Sequence, residues 1–265
     1  KSGNGPGKTA VAARIVLWYL YCFHPSIVIT TAPTGRQVEK LLWGEIRATY
    51  KTSKLDLGGE LFRTELRIDD EWYAVGFSTD EPDKFQGFHS PHILIVVDEA
   101  CGVEEQIFEA IEGILTSTKA KLLLIGNPTN SNTYFGRTHL HPRESRGWRK
   151  LHINCWNTPN VKAKSNVNKR LLDCEWPKKM LDKWGEYNPF YQVRVLGEFP
   201  ESGEDSLVPY HMVHSSLERS IQPAGKKIYG VDVAYFGGDK SVIGRLHGSQ
   251  FRILKKIYKQ DGEYV

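Results

Sequence analysis

Short, almost wholly apolar runs alternate along this chain with longer stretches of mixed polarity, and several of those runs end on polar or acidic residues. Ser26-Ile-Val-Ile-Thr-Thr31, Ile93-Leu-Ile-Val-Val97 and Lys121-Leu-Leu-Leu-Ile125 have the aliphatic density of strands buried on both faces. Residues 9–23, 37–49 and 107–115 read as helices between them. Such an alternation predicts an α/β fold with a mostly parallel sheet. Residues 61–67 and 71–78 alternate around Asp69-Asp70 and predict a hairpin, and residues 81–90 an irregular loop ahead of the next strand. Residues 151–155 read as another strand, followed by a polar loop to about 168 and a helix pair carrying Trp176, Met180, Trp184 and Tyr191.

The chemistry starts at the first residue. Lys1-Ser-Gly-Asn-Gly-Pro-Gly-Lys-Thr9 has the spacing of a phosphate cradle, ending in the Gly-Lys-Thr triplet, although Ser2 stands where the pattern places glycine. Ser2, Gly3, Asn4, Gly5, Pro6, Gly7, Lys8 and Thr9 are the expected nucleotide-binding residues. Gly3, Gly5 and Gly7 are expected to turn backbone N–H groups toward the phosphates, Lys8 to add a mobile cation, and the Thr9 hydroxyl to ligate Mg²⁺. The helix that follows aims its N-terminal dipole at the anion. Asp98 and Glu99 terminate the second buried run, at the sheet edge where open α/β folds bind ligands. Asp98 is expected to hold Mg²⁺, and Glu99 to polarise the attacking water. Asn127, after the third run, is a candidate sensor of the γ-phosphate, although Gly126-Asn127-Pro128 also suits plain turn chemistry. A nucleoside triphosphate, ATP, is thus the expected substrate, with Mg²⁺ as cofactor.

Composition narrows the setting. The 265 residues are 40% hydrophobic and 25% charged, ordinary for one large or two smaller folded domains. A net charge of +4 permits nucleic-acid binding without requiring it, so contacts must come from local basic patches. Arg137, Arg143, Arg146, Arg149 and Lys150 surround Trp148 and suit a nucleic-acid backbone or a solvated loop equally. Cys22, Cys101, Cys155 and Cys174 are widely spaced, which predicts neither a disulfide nor a zinc site, and His139, His141 and His152 lack partners for one. No apolar stretch is long enough to span a bilayer and no signal peptide is visible, so an intracellular chain is expected. The cradle opens at residue 1 with no strand ahead of it, which predicts a piece of a longer protein whose adenine contacts lie elsewhere.

Residues 201–206, Glu-Ser-Gly-Glu-Asp-Ser, read as part of a linker. Beyond it, residues 227–234 form a strand carrying Asp232, and Gly237-Gly238-Asp239 turns into a second strand at 241–245. A carboxylate in an apolar strand is costly to bury unless it meets a metal or cation, and a hairpin with one inward Asp is similar to the opening of a ribonuclease-H-like nuclease.

The phosphate loop, Thr31-Ala-Pro-Thr-Gly-Arg-Gln37, Val97-Asp-Glu-Ala100, Gly126-Asn-Pro128, Tyr191-Gln-Val-Arg-Val-Leu-Gly-Glu-Phe-Pro200 and Gly230-Val-Asp-Val-Ala234 occur in an order that resembles the large terminase subunits of tailed bacteriophages and prophages. The resemblance implies an ASCE-type P-loop ATPase domain over 1–200, a linker over 201–225, and over 226–265 the first hairpin of a ribonuclease-H-like nuclease domain. It implies a motor that translocates double-stranded DNA into a procapsid and an endonuclease that cuts concatemers, working in the host bacterial cytoplasm with a small terminase subunit, a portal protein and a homo-oligomeric ring, and with no membrane. Lys8, Glu99 and Asn127 become catalytic, and Thr9 and Asp98 metal-binding. Asp232, assisted by Asp239, becomes a nuclease carboxylate using Mg²⁺ or Mn²⁺. Arg137 is the candidate for stabilising γ-phosphate charge in a neighbouring subunit, with Arg36 and Arg143 as alternatives. A superfamily-two helicase or translocase shares several of these motifs, and a non-hydrolysing nucleotide-gated DNA-binding scaffold is a rival of another class.

Overall fold

A computed structural model describes residues 1–78, 85, 87–116, 119–200, 219–234 and 240–257. The chain divides into two compact units, Lys1–Leu207 and Val208–Val265. The division falls within the stretch read as a linker, of which 201–218 lie outside the described residues.

In the first unit a six-stranded sheet has the order β2-β3-β4-β1-β5-β6. Its strands are β1 (Ser26–Thr31), β2 (Glu60–Leu61), β3 (Glu65–Asp69), β4 (Trp72–Gly76), β5 (His92–Val97) and β6 (Lys121–Leu124). β4, β1, β5 and β6 run parallel, while β2 and β3 add an antiparallel edge. The expected hairpin is β3–β4, and its second strand is part of the parallel sheet rather than a separate ornament.

The runs in β1 and β5 are buried on both faces because helices cover both, whereas the run at 121–125, expected to be equally buried, forms the edge strand β6, whose residues are exposed or half-buried. Val28, Ala32, Leu94 and Val96 pack with α1 (Lys8–Cys22) and the helix formed by a π-helical stretch Gln37–Leu42 and α2 (Trp43–Lys51). Ile27, Ile29, Ile93, Ile95 and Val97 face Ile107, Phe108 and Ile111 of α3 (Glu105–Ile114) and Phe135 of α4 (Tyr134–Leu140). Each Val, Leu, Ile or Phe among them contributes about 1.5–3 kcal/mol when fully buried. This layering fixes the register that matters for chemistry: Thr31 pairs with Val97, and Val97 with Leu124, so β1, β5 and β6 end level with one another.

The strand expected at 151–155 is reduced to a short pairing. Lys1 and Gly3 exchange backbone hydrogen bonds with Leu151 and Ile153, and Ser2 N–H donates to the Gly126 carbonyl at 3.2 Å, so residues 1–3 lie between the end of β6 and Leu151–Ile153. Cys155–Asn157, a 3₁₀ turn, follows, then α5 (Pro159–Ala163), α6 (Trp176–Trp184), α7 (Pro189–Tyr191) and a π-helical turn, Gln192–Leu196. Among the described residues no helix is long and apolar enough to cross a membrane.

The second unit contains an antiparallel sheet of β7 (Lys227–Asp232), β8 (Ser241–His247) and β9 (Gln250–Ile257). The third strand was not legible in the sequence. Asp232 pairs with Val242, and Asp239 lies outside the described residues. All six residues of β7, Asp232 among them, are exposed, since no described helix covers this sheet within its own unit.

Candidate active site

The level strand ends bring the acidic pair and the asparagine to the start of α1. Asp98 N–H donates to the Thr31 carbonyl at 2.9 Å, which carries the line of β5 one residue past its end. Glu99 then adopts a left-handed conformation, φ 49°, ψ 45°, uncommon for a residue with a side chain and characteristic of strained functional sites. Thr9 Oγ1 donates to Asp98 Oδ2 at 3.3 Å. Lys8 Nζ donates to the Gly3 carbonyl at 3.2 Å and to Asn127 Oδ1 at 2.8 Å. Asn127 Nδ2 donates to the Ser2 carbonyl at 3.0 Å and to Asn4 Oδ1 at 2.8 Å, and its backbone N–H reaches Glu99 Oε2 at 3.5 Å. Lys8, Thr9, Asp98, Glu99 and Asn127, spread over more than a hundred positions, therefore form one hydrogen-bonded cluster.

The loop's own geometry divides its glycines by task. Gly7 caps α1 with φ 94°, a conformation that costs a side-chain-bearing residue, and thereby points the first helical amides out of the loop. Gly3 does something different. Its N–H, expected to face phosphate, donates to the Ile153 carbonyl at 3.0 Å, and a Cβ there would lie 2.5 Å from Cys155 Sγ and 2.7 Å from the carbonyls of Arg194 and Val195. Gly3 is a close-packing residue. Asn4 N–H is likewise taken, by the Arg194 carbonyl at 2.7 Å. Backbone donors for a ligand would therefore have to come from the Gly5–Thr9 half of the cradle, where Pro6 has no N–H to give. Ser2 is buried, with its hydroxyl on the Gly3 carbonyl, which positions the loop without presenting that hydroxyl to a ligand.

Electrostatics match the geometry. Asp98 is 5% exposed, and burial, followed by the neighbouring Glu99 charge, pushes its carboxyl from 3.8 up to about 6. Burial pulls the Lys8 ammonium below its usual value, opposed by the Glu99 and Asp98 charges. Two adjacent carboxylates at a buried strand end, beside a threonine hydroxyl, are a hard-oxygen set that a divalent cation would relieve of its charge penalty, so the residues present fit Mg²⁺. A cavity of about 200 Å³ between α1, β6 and Leu151–Ile153 opens beside Pro6, Gly7 and Lys8 of the cradle, and its walls include the apolar Val11, Ile15, Leu122 and Leu124 as well as Arg149 and Lys150.

Other expected residues are placed elsewhere. Arg137 is ion-paired to Glu105 and Glu144, and donates to the Asn132 carbonyl at 3.1 Å. Its guanidinium is not in the Lys8 cluster. His139 packs against Phe135 and Phe199, His141 pairs with Glu144, and His152 hydrogen-bonds the Leu196 carbonyl at 2.7 Å. Residues whose part was not read from sequence are Cys155, with Sγ 3.3 Å from the Asn4 carbonyl, and the 191–198 stretch, which braces the loop through Arg194 and, through Glu198, ties down Lys1. That stretch was visible as a motif but carries no side-chain chemistry that would have announced its role.

No protein-family model matches the chain. A probable terminase large subunit of Enterobacteria phage P7 is 29% identical over 276 residues, covering 97% of this chain and 53% of the relative, so the chain spans about half the length of that curated protein. The solved large terminase of a thermophilic bacteriophage superposes with a TM-score of 0.57 at 16% identity, over 99% of this chain and 65% of that one. The same thermophilic-phage protein has been solved in complex with ADP and with ATP-gamma-S. The ATPase domain of the Thermus phage P74-26 large terminase superposes with a TM-score of 0.54 at 18% identity, over 75% of this chain and 86% of that one. The first unit has the ASCE-type P-loop fold of terminase ATPase domains, and the chain is similar in sequence, along nearly its whole length, to a phage large terminase subunit.

Proposed function

We propose that the chain is the ATP-hydrolysing portion of a large terminase subunit, a motor that moves double-stranded DNA into a procapsid. The observation that carries this reading is the joined cluster of Lys8, Thr9, Asp98, Glu99 and Asn127 at one sheet edge. Similarity to the phage P7 protein and fold likeness to the thermophilic-phage terminase, solved with ADP and ATP-gamma-S, support it.

On this reading the Gly5–Thr9 amides and the Lys8 ammonium bind the β- and γ-phosphates, Lys8 exchanging the Gly3 and Asn127 oxygens for phosphate oxygens. Thr9 and Asp98 hold Mg²⁺, which when bound neutralises phosphate charge. Glu99 orients a water for in-line attack and takes its proton. Asn127, freed from Lys8 by the nucleotide, is placed to report γ-phosphate loss through Asn4 and Ser2. Steady-state hydrolysis of MgATP, with and without duplex DNA, tests the reading. Parent protein should turn over ATP, and Lys8→Ala should reduce the rate to background. A parent that neither binds ADP nor hydrolyses ATP would overturn it.

The small terminase subunit, the portal protein, a homo-oligomeric ring and the host cytoplasm follow from the terminase reading and share its support. Arg137 remains our candidate for charge stabilisation in trans, which requires it to exchange Glu105 and Glu144 for phosphate oxygens. Arg137→Ala should bind ATP normally but hydrolyse it about 10³-fold or more slowly. Mixing with Lys8→Ala in co-assembled rings should restore activity, and no recovery would exclude the role. In the full-length protein, Asp232→Ala should remove Mg²⁺- or Mn²⁺-dependent DNA cleavage and leave ATP hydrolysis intact, because the two sites use separate metals. Undiminished cleavage would refute the nuclease assignment of Asp232.

A further inference from the structure

One buried asparagine outside the charged cluster is tied to the phosphate loop through the backbone. Asn160, on α5, is 1% exposed and spends its amide on a single turn of chain. Its Nδ2 donates to the carbonyls of Asn168 at 2.9 Å and Leu172 at 2.8 Å, and its Oδ1 accepts from Asn168 N–H at 2.9 Å. The turn so fixed, 168–172, lies on the loop: Leu172 N–H donates to the Gly5 carbonyl at 3.0 Å. Contact there is close, since a Cβ on Gly5 would come within 3.0 Å of Leu172 Cβ, and one on Gly7 within 3.3 Å of Leu171 Cδ2. The loop's other shoulder is held by the 3₁₀ turn ahead of α5, where Cys155 Sγ donates to the Asn4 carbonyl at 3.3 Å. Gly5 sits at φ 70°, a conformation with little intrinsic preference for a glycine, so an external bond is what selects it.

We propose that Asn160 is a positioning residue for nucleotide binding: it clamps the 168–172 turn onto the Gly5 carbonyl, pre-shapes the Gly5–Gly7 half of the cradle, and couples nucleotide occupancy to that turn. This rests on the cradle binding nucleotide, as proposed above. Without the clamp, the loop must be ordered at the moment of binding, and affinity falls. Phosphate held by the Gly5–Thr9 amides in turn immobilises Gly5, so Leu172 N–H opens less often.

Calorimetric titration of the 265-residue chain with MgADP tests this. Asn160→Ala should bind about tenfold more weakly than the parent with unchanged stoichiometry, the loss expected when one buried hydrogen-bonded anchor is removed. A purely structural role would lower the stoichiometry where the loss of folded protein is irreversible, and where it is reversible would weaken binding only in proportion to the unfolded fraction, which thermal unfolding of the variant measures, leaving the Kd corrected for that fraction unchanged. That pattern, or equal Kd values, overturns the proposal while the nucleotide-binding reading stands. A parent that binds no ADP overturns both. Should Asn160→Ala fail to fold, hydrogen exchange in the parent decides: MgADP should slow exchange of the Leu172 amide at least about fivefold, and an unchanged rate, with the Lys8 and Thr9 amides protected, overturns the clamp.

Discussion

Glu99→Gln protein is expected to bind ATP within about twofold of the parent yet hydrolyse it roughly 10²–10⁴-fold more slowly, the range for loss of a positioned general base. The substitution isolates one property. Glutamine keeps the oxygen that Asn127 N–H approaches at 3.5 Å and leaves the left-handed backbone at 99 unchanged, so the site's shape and its contact with Asn127 survive. What is lost is a group able to accept a proton from water. Removing the charge relieves repulsion with buried Asp98 but also withdraws support from the Lys8 ammonium, two opposed effects that leave binding close to the parent's. ATP affinity from equilibrium titration and kcat from steady-state hydrolysis separate the two effects. If affinity and rate fall together, Glu99 is acting as a binding residue and the base must be sought elsewhere.

The cluster was legible because each member ends or begins an element with a strong local signal. Five aliphatic residues before Asp98 and three leucines before Ile125 fix two neighbouring parallel strands, β5 inside the sheet and β6 at its edge, and Gly-Lys-Thr fixes the start of α1. In a parallel sheet those strands must finish at the same edge, so Asp98 and Asn127 could be placed near Lys8 without coordinates. The support beneath the loop was not legible. Arg194 acts through its carbonyl, Gly3 through the absence of a side chain against Cys155, and Leu172 through its N–H; backbone partners more than 150 positions apart leave no periodicity to read. The exposure of the strand that carries Asp232 was illegible for another reason. Its apolar neighbours, Ile228, Tyr229 and Val231, were read as a sign of burial, yet they are about 60% exposed in a sheet whose described part has no covering layer. Apolar sequence reports a tendency to be buried, and only tertiary context decides whether it is satisfied.

Asp98→Asn should abolish Mg²⁺-dependent hydrolysis and, at pH 7.5 without metal, raise the unfolding temperature of the chain by a few degrees, on the order of 2–4 °C per kcal/mol gained for a domain of this size. Both effects have one origin. The native carboxyl titrates at about 6 against 3.8 for a free one, because burial and Glu99 disfavour its charge. Between those values the folded state binds more protons than the unfolded state, so stability falls as pH rises from about 4 to about 6 and stays lowered above it. At pH 7.5 the full penalty is present, on the order of 2–3 kcal/mol from the two-unit displacement. The amide is neutral at every pH, and its oxygen can still accept from Glu99 N–H, which donates to Asp98 Oδ1 at 2.9 Å. It therefore escapes the penalty, and its NH₂, standing where Asp98 Oδ2 lies 3.3 Å from Thr9 Oγ1, can donate to that hydroxyl. Below pH 4 the parent carboxyl is also neutral, and the stability advantage should vanish. Thermal unfolding of both proteins at pH 4 and pH 7.5, beside a hydrolysis assay at the higher pH, measures all of this. A variant less stable than the parent at pH 7.5 would mean that Asp98 serves the fold as a charge; a more stable but inactive one would mean that the carboxylate is kept, against the interest of the fold, for the metal.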